Sequence, residues 1–359
     1  MRSQPVGVAG ELEPARVMIC DDSIVIRGAI SLMLESDPGI RVVARVGNGQ
    51  LAIEEVRRQP IDVLVLDIEM PVMDGLSALP RLLEIDPGLR VIMASTLTTR
   101  GADIALRALR LGAADYVPKP SASGLGGSDA FRRELLEKVK GLARLRRHKT
   151  AAAVPEPTGL RLRPAGARAP QLLAVGSSTG GPQALFKLVQ GLGTSIRVPV
   201  VLTQHMPATF TPILADHLSK LGGLSCSEAK HGEVLRAGHI HLAPGDYHLI
   251  VEATAGVLKA RLTRDPPENF CRPSVDPMLR SAAMACDGRV LCAMLTGMGH
   301  DGLAGTRAVI ERGGTAVAQD EGTSVVWGMP GAIAQAGFCH AVLPLPRIAP
   351  KLIELLRAT

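Results

Sequence analysis

A chain of 359 residues exceeds the usual size of one hydrophobic core, so its length predicts two domains. No run reaches the roughly 20 apolar residues that a membrane span needs. Glu11 and Glu13 lie where a signal peptide would have its apolar core. The composition, 46% hydrophobic, is typical of a packed globular protein, and we expect a soluble cytoplasmic protein with no membrane insertion.

The net charge of +6 has a local origin. Lys and Arg concentrate between residues 132 and 168, in a helix end and a stretch rich in Pro, Ala and Arg. We interpret residues 148–169 as an extended, solvated linker, with a docking surface for an acidic partner as the alternative. The charge therefore gives no reason to expect nucleic acid as a partner. The six cysteines form no C-x-x-C pair, which is typical of reduced core thiols.

After an N-terminal tail (1–15), residues 16–147 alternate short Val/Ile/Leu runs with longer amphipathic stretches. The runs predict strands at 17–20, 41–46, 63–66, 91–94 and 115–117. Five strands with intervening helices predict a flavodoxin-like, doubly wound parallel sheet.

Four of these strands end in polar residues, namely Asp21-Asp22, Asp67, Ser95-Thr96 and Lys119-Pro120. One aspartate at the end of a strand is most often a helix cap. Polar residues at the corresponding ends of four strands indicate a common site. Asp21, Asp22 and Asp67 offer the oxygen ligands that Mg²⁺ prefers. The Asp67 carboxylate could then attack a phosphoryl group whose oxygens are stabilised by Lys119 and Ser95.

Three motifs carry a resemblance to the receiver domains of two-component response regulators. They are Cys20-Asp21-Asp22-Ser23, Leu66-Asp67-Ile68-Glu69-Met70-Pro71-Val72-Met73-Asp74-Gly75 and Tyr116-Val117-Pro118-Lys119-Pro120. The resemblance implies that Asp67 is phosphorylated by a histidine kinase and that Asp21 and Asp22 hold Mg²⁺. It also implies that Lys119 contacts the phosphoryl group and that Ser95 and Tyr116 relay its presence.

Residues 170–359 form a second α/β pattern, for which we predict a mostly parallel sheet. Three strand-like runs end at Gly176-Ser177-Ser178-Thr179-Gly180-Gly181, Gln204-His205-Met206-Pro207 and Gly297-Met298-Gly299-His300-Asp301-Gly302. Together they supply Ser178, His205 and Asp301, the residue types of a nucleophile, a base and its orienting carboxylate. Their order along the chain differs from that of α/β-hydrolases, so we expect a different scaffold.

Each member of this triad has another interpretation. Ser178 could cap a helix, or it could lie in the phosphate-binding loop of a dinucleotide site. A dinucleotide site would need an acidic residue at the end of the next strand, and the sequence has none there. Asp301 could cap a helix at 303–311, and His300 is an alternative base. His239, His241 and His248 could bind zinc, although a hairpin with its turn at 244–246 is favoured.

The second half also resembles the catalytic domain of the chemotaxis protein-glutamate methylesterase family, CheB. The resemblance rests on the three segments above, on Arg272-Pro273-Ser274-Val275-Asp276 and on Val325-Val326-Trp327-Gly328-Met329-Pro330. It implies hydrolysis of glutamate γ-methyl esters on methyl-accepting chemoreceptors, with release of methanol, and deamidation of glutamines. It places Thr179 and Met298 at the oxyanion site and implies no cofactor in this domain.

Together, these patterns predict an esterase that is activated when Asp67 is phosphorylated. A DNA-binding response regulator is the main rival, but the second half is too long and too weakly charged for a small helix-turn-helix effector. A receptor-binding adaptor without catalysis is the second rival, and the intact triad argues against it.

Overall fold

The computed structural model describes residues 13–95, 98–119, 129–150 and 159–357. The predicted strand-end residues Thr96 and Pro120, residues 1–12 of the tail and residues 151–158 of the linker lie outside these ranges.

The N-terminal domain contains a parallel sheet with the strand order β2-β1-β3-β4-β5. Its strands are β1 (Ala15–Cys20), β2 (Ile40–Val46), β3 (Val63–Asp67), β4 (Arg90–Ser95) and β5 (Asp115–Pro118). Its helices are α1 (Ile24–Glu35), α2 (Gly49–Arg58), α3 (Gly75–Ile85), α4 (Thr99–Arg110) and α5 (Asp129–Thr150). The predicted five-stranded fold is confirmed.

Local sequence explains how these elements begin. The central strand β3 is buried throughout, because helices cover both faces of a doubly wound sheet and its residues are apolar up to Asp67. Ser23, Asn48, Asp74 and Thr98 each cap a helix by accepting a hydrogen bond from a backbone N–H of its first turn. The capped helices therefore start directly after the strand-end loops.

The C-terminal domain contains a seven-stranded sheet in the order β14-β13-β12-β6-β7-β9-β8, whose described pairs are all parallel. Its strands are β6 (Leu172–Ser177), β7 (Val200–Gln204), β8 (Ser225–Glu228), β9 (His239–Leu242), β12 (Val290–Met294), β13 (Thr315–Gln319) and β14 (Ala341–Leu343). The helices are α6 (Gly181–Leu192), α7 (Thr211–Ser219), α8 (Val275–Ala285), α9 (Leu303–Glu311), α10 (Met329–Gln335) and α11 (Leu345–Arg357). The predicted mostly parallel sheet is confirmed.

The predicted hairpin around 244–246 is wrong. Strand β9 pairs in parallel with β7 and β8, whereas β10 (His248–Thr254) pairs antiparallel with β11 (Val257–Thr263) in a separate two-stranded sheet. The turn signal in the sequence was real, but it connects two sheets, because a local turn does not specify which strands pair across it.

Two further features concern the chain as a whole. Residues that were assigned to the linker contact the C-terminal domain: Arg163 N–H donates to the Cys339 carbonyl (2.9 Å) and Gly166 N–H to Thr315 Oγ1 (2.8 Å). None of the helices in the described ranges combines the length and the apolarity needed to cross a membrane.

Candidate active site and phosphoryl-acceptor site

Three carboxylates meet at the carboxyl edge of the N-terminal sheet. Strands β1 and β3 are neighbours, so Asp21 and Asp22, which follow β1, lie beside Asp67 at the end of β3. One oxygen from each carboxylate lies within 4.8 Å of the others. Asp21 and Asp67 are buried, while Asp22 is exposed and opens the cluster to solvent. Such a set of hard oxygen donors is compatible with Mg²⁺.

Lys119, which follows β5, joins this cluster. Its Nζ lies 2.9 Å from Asp21 Oδ2 and 2.6 Å from Asp67 Oδ2. Burial raises the pKa of Asp67 to about 6, although the hydrogen bond and the positive charge of Lys119 oppose the rise. Burial lowers the pKa of Lys119, but contact with the two carboxylates outweighs it and raises the pKa. Lys119 is therefore a cation at neutral pH.

The structure separates the two predicted switch residues. Ser95 is buried at the end of β4, and its carbonyl accepts a hydrogen bond from the Lys119 N–H (2.7 Å). The Tyr116 ring instead lies between the domains, stacked on Phe210 of the C-terminal domain with ring centroids 4.7 Å apart. Burial raises the pKa of the Tyr116 hydroxyl. Ser95 therefore lies at the strand end next to that of Asp67, whereas Tyr116 lies in the domain interface.

In the C-terminal domain, His205 and Asp301 form a close pair. They follow β7 and β12, the two strands that flank β6, and His205 Nε2 lies 2.7 Å from Asp301 Oδ2. His300, the alternative base, is exposed on the surface. The carboxylate is thus paired with the imidazole that was expected to be the base.

Asp301 is held by four further hydrogen bonds. Its oxygens accept from Ser274 Oγ (2.7 Å), Asn269 Nδ2 (2.9 Å) and the backbone N–H groups of Val275 (2.6 Å) and Asp276 (3.1 Å). The two N–H groups belong to the first turn of α8, where the helix dipole favours a negative charge. Burial raises the pKa of Asp301, but its hydrogen bonds and the charge of His205 lower it to about 2. The carboxylate is therefore ionised at neutral pH.

The second ring nitrogen of His205 has a cysteine as its neighbour. Nε2 is bonded to Asp301, and Nδ1 lies 3.4 Å from Cys271 Sγ. Burial lowers the pKa of His205, but the hydrogen bonds to Asp301 and Cys271 raise it to about 10. This arrangement stabilises the imidazolium form, which is the form that arises when the ring accepts a proton.

Ser178 lies in the tight loop between β6 and α6. Its N–H donates to the Thr296 carbonyl (3.0 Å), and its carbonyl accepts from Nε2 of the buried Gln204 (2.9 Å). Its Cβ lies so close to Gly297 that a Cβ added there would be 2.9 Å away. In the described part of the chain, Ser178 Oγ forms no hydrogen bond to His205. The serine therefore lies between the loops that carry His205 and Asp301, but its hydroxyl is not bonded to the imidazole ring in this structure.

The two predicted oxyanion residues lie on either side of this loop. Thr179 is buried, and its carbonyl accepts a hydrogen bond from Thr296 Oγ1 (2.8 Å). Met298 is half-buried in the loop before Asp301. Gly180 has a φ of +73° and caps α6. Its N–H donates to Asp115 Oδ2 (3.0 Å), and the Gly181 N–H donates to the Ser178 carbonyl (2.7 Å), so the N-terminus of α6 adjoins the serine loop.

The histidines considered for zinc have other partners. His239 bonds to Ser225 Oγ (2.6 Å) and Ser227 Oγ (2.8 Å), and His241 bonds to Glu233 (2.7 Å). His248 accepts a hydrogen bond from the Ser274 N–H (3.2 Å). In the described residues, the candidate metal cluster is the one formed by Asp21, Asp22 and Asp67.

The N-terminal domain reaches the serine loop through Asp115. This buried carboxylate accepts a hydrogen bond from the Gly180 N–H (3.0 Å) and lies 3.3 Å from Lys138 Nζ. Burial raises the pKa of Asp115, although the Lys138 charge opposes the rise. Nearby, Gln183 Nε2 donates to the Ala113 carbonyl (2.5 Å). The N-terminal domain thus contacts the backbone two residues from Ser178.

Sequence reasoning did not find several residues of this site. Asn269 and Cys271 contact Asp301 and His205, and Asp115 contacts the serine loop. Ser274 belongs to a motif that the sequence analysis noted without assigning it a role. For the other three the sequence carries no signal, because each reaches its partner through space.

Comparisons with known proteins cover both halves of the chain. Residues 173–352 match the CheB methylesterase family, and residues 17–125 match the response regulator receiver domain. The chain is 54% identical, over 97% of its length and 96% of the relative's, to the protein-glutamate methylesterase/protein-glutamine glutaminase of group 2 operon from Rhodospirillum centenum. It is 53% identical, over 96% of its length and 93% of the relative's, to the protein-glutamate methylesterase/protein-glutamine glutaminase of Azospirillum brasilense.

One similar solved structure is the CheB methylesterase catalytic domain of Thermotoga maritima. It is 39% identical to the aligned part of this chain, with a TM-score of 0.51. The alignment covers 52% of this chain and 100% of that one.

Proposed function

Because this chain belongs to the CheB methylesterase family, we propose that it hydrolyses glutamate γ-methyl esters and deamidates glutamines on chemoreceptors, in the adaptation step of a chemotaxis pathway. The observation that carries the proposal is the buried His205–Asp301 pair beside the Ser178 loop. An adaptor without catalysis would have no use for a half-buried imidazole paired with a buried carboxylate that accepts five hydrogen bonds.

In this proposal, the reacting form has a neutral His205 ring, which with a pKa of about 10 is the minor form at neutral pH. Ser178 Oγ attacks the ester carbonyl carbon while its proton passes to Nδ1 of that neutral ring. The proton then passes to the departing methoxide, which leaves as methanol and leaves a glutamyl ester on Ser178. Water, deprotonated by the same nitrogen, cleaves this ester and restores the serine. Asp301 keeps Nε2 protonated and stabilises the imidazolium in both halves of the reaction. With a glutamine as substrate, ammonia is released instead of methanol.

Thr179 and Met298 are our candidates for the oxyanion site. The N-terminus of α6, the positive end of its helix dipole, adjoins the serine loop, where negative charge develops on the carbonyl oxygen. The backbone N–H groups of residues 179 and 298 are the donors that we propose for this oxygen.

For the N-terminal domain, we propose that the histidine kinase of the pathway phosphorylates Asp67 and that this phosphorylation switches the activity of the protein. Asp21, Asp22 and Asp67 would hold Mg²⁺, which when bound neutralises charge on phosphoryl oxygens. Lys119 places a further positive charge 2.6 Å from the Asp67 carboxylate. Ser95 lies at the neighbouring strand end, and we propose that it contacts a phosphoryl group on Asp67.

We further propose that the unphosphorylated N-terminal domain restrains the esterase. Asp115 and Tyr116 lie on β5, directly before Lys119, and contact Gly180 and Phe210 of the C-terminal domain. A change at Lys119 is therefore three or four residues away from the interface. Phosphorylation would shift the population toward an arrangement that admits receptor helices.

The test is methanol release from methylated receptors. Ser178→Ala and His205→Ala should each lower turnover by a factor on the order of 10³ to 10⁶, because nucleophile and base act as one unit. For the same reason, the double variant should be hardly slower than either single one. A serine-directed fluorophosphonate should label the wild type and fail to label Ser178→Ala.

His300→Ala is the matched control, because that imidazole lies in the same loop but is exposed. It should keep wild-type turnover. Near-normal turnover of Ser178→Ala, or a double variant that loses the product of the two single effects, would refute the shared Ser–His mechanism.

A further inference from the structure

Phe270 is more exposed than any other large apolar side chain in the described residues, at 101% of its reference area. It also has an unusual backbone conformation, with a φ of +63°, and Asn269 before it has a φ of +54°. Positive φ values are costly for bulky residues and persist only where surrounding structure enforces them. An apolar ring held in solvent at a strained position has no role in folding that the structure reveals.

The loop that carries Phe270 is fixed from both sides. Glu268 and Cys271 exchange two backbone hydrogen bonds of 3.1 and 3.0 Å, which close a tight turn around residues 269 and 270. The Glu268 carboxylate also pairs with Arg280 of α8 through contacts of 2.5 and 2.6 Å. The ring is therefore presented from a backbone that is already ordered, which lowers the entropy that binding would cost.

The residues on both sides of Phe270 contact the catalytic pair. Asn269 Nδ2 donates to Asp301 Oδ1 (2.9 Å), and Cys271 Sγ lies 3.4 Å from His205 Nδ1. Phe270 thus lies between two residues that contact the catalytic pair, and its own ring is exposed to solvent. The ring lies on the rim of the candidate active site and is continuous with it.

We propose that Phe270 is an anchor residue for binding of the protein substrate. Its ring packs on an apolar patch of the receptor helix, beside the esterified glutamate. This inference rests on the proposed function and specifies how its substrate is held. Rigid aromatic side chains are typical binding hot spots, since they bury a large apolar area for few frozen rotations. The occupant is a receptor helix, because it must approach this rim for its ester to reach Ser178.

The test compares four proteins as full-length chains in their phosphorylated state. Phe270→Asn removes the ring, and asparagine tolerates positive φ, so the loop is preserved. Phe270→Tyr keeps the ring. Met284→Asn is the matched control, because Met284 is 69% exposed and lies at the opposite end of α8 from the Asp301 contacts. The readouts are kcat and KM for methylated receptors and the rate of fluorophosphonate labelling.

We expect Phe270→Asn to raise KM by about 10-fold to 100-fold, the effect of losing one buried aromatic contact, while kcat changes little. Labelling by the small phosphonate should stay at the wild-type rate, because it does not need the anchor. Phe270→Tyr and Met284→Asn should resemble the wild type.

Three results would overturn the inference. A KM of Phe270→Asn within twofold of the wild-type value would show that the ring does not bind the receptor. Equal losses in labelling and in kcat would show that Phe270 only positions Asn269 and Cys271. A wild-type dimer that Phe270→Asn converts to a monomer would assign the ring to self-association. A wild type that labels with phosphonate but releases no methanol would instead refute the proposed function.

Discussion

At the scale of single residues, two buried strand-end carboxylates have opposite electrostatic environments. Asp67 has burial as its dominant influence, which raises its pKa to about 6. Asp301 is equally buried, but four hydrogen bonds and the paired His205 ring hold its pKa near 2. The difference comes from the number of donors around each carboxylate, not from burial.

The His205–Asp301 pair should contribute to stability over a defined pH range. Asp301 has a lowered pKa, so its contribution is complete above its ordinary value of 3.8 and is lost as the pH falls through about 2. His205 has a raised pKa, so its contribution is complete below 6.5 and is lost as the pH rises through about 10. Asp301→Asn should therefore be most destabilising, by about 3 kcal/mol, between pH 4 and 6.5.

The measurement is urea unfolding followed by the fluorescence of Trp327, the only tryptophan of the chain. Asp287→Asn serves as the control, because that carboxylate is exposed and pairs only with Arg168 and other surface groups. A stability difference between wild type and Asp301→Asn that does not change from pH 3 to 9 would contradict the assignment of the pair.

At the scale of elements, helix α5 approaches the active site through a glycine. A Cβ added to Gly141 would lie 2.0 Å from the Val325 carbonyl oxygen. The Val325 side chain in turn packs on Gly180, where an added Cβ would lie 2.4 Å from its Cγ2. Val325 thus lies between the helix of one domain and the serine loop of the other, and both contacts require the absence of a side chain.

Gly141→Ala should loosen this contact and raise the basal activity of the unphosphorylated protein several-fold. The added methyl group cannot fit without moving backbone, and such overpacking costs about 1–3 kcal/mol. The measurement is methanol release without a phosphoryl donor. Gly28→Ala is the matched control, since Gly28 is a helical glycine of α1 with nothing within 4 Å of the added Cβ. Unchanged or lower activity of Gly141→Ala would show that close docking of α5 does not restrain the enzyme.

At the scale of the whole molecule, polar and apolar contacts join the domains. Asp115 and Gln183 make hydrogen bonds across the interface, the Tyr116 and Phe210 rings stack, and Arg144 of α5 pairs with Glu321. Contacts of 159–168 with the C-terminal domain favour counting these residues with it. The division into 16–147, 148–169 and 170–359 remains our prediction, with this adjustment to the linker.

A fragment comprising residues 159–359 should release methanol faster than the unphosphorylated full-length protein and should not respond to a phosphoryl donor. It retains the contacts of Arg163 and Gly166, which a fragment starting at residue 170 would lose. Full-length Asp67→Ala is the companion variant, expected to keep basal activity and to lose stimulation by a phosphoryl donor with Mg²⁺. A folded fragment less active than the full-length protein would mean that the N-terminal domain activates rather than restrains.

The sequence by itself determined the two parallel α/β sheets and the candidate chemical groups. Alternating apolar runs predicted the strands. Polar residues at the strand ends predicted Asp67 with its neighbours as one site and Ser178, His205 and Asp301 as another. Strand ends meet at one edge of a parallel sheet, so a one-dimensional pattern predicted a three-dimensional cluster.

Only the tertiary structure decided which groups contact one another. It selected Nε2 of His205 as the partner of Asp301, placed Cys271 at Nδ1 and brought Asp115 to the Gly180 N–H across 65 residues of chain. It also moved Tyr116 into the domain interface and separated β9 from β10. These contacts depend on how the sheets and domains pack against each other. Packing is determined by residues far apart in the sequence, so a local sequence pattern cannot predict it.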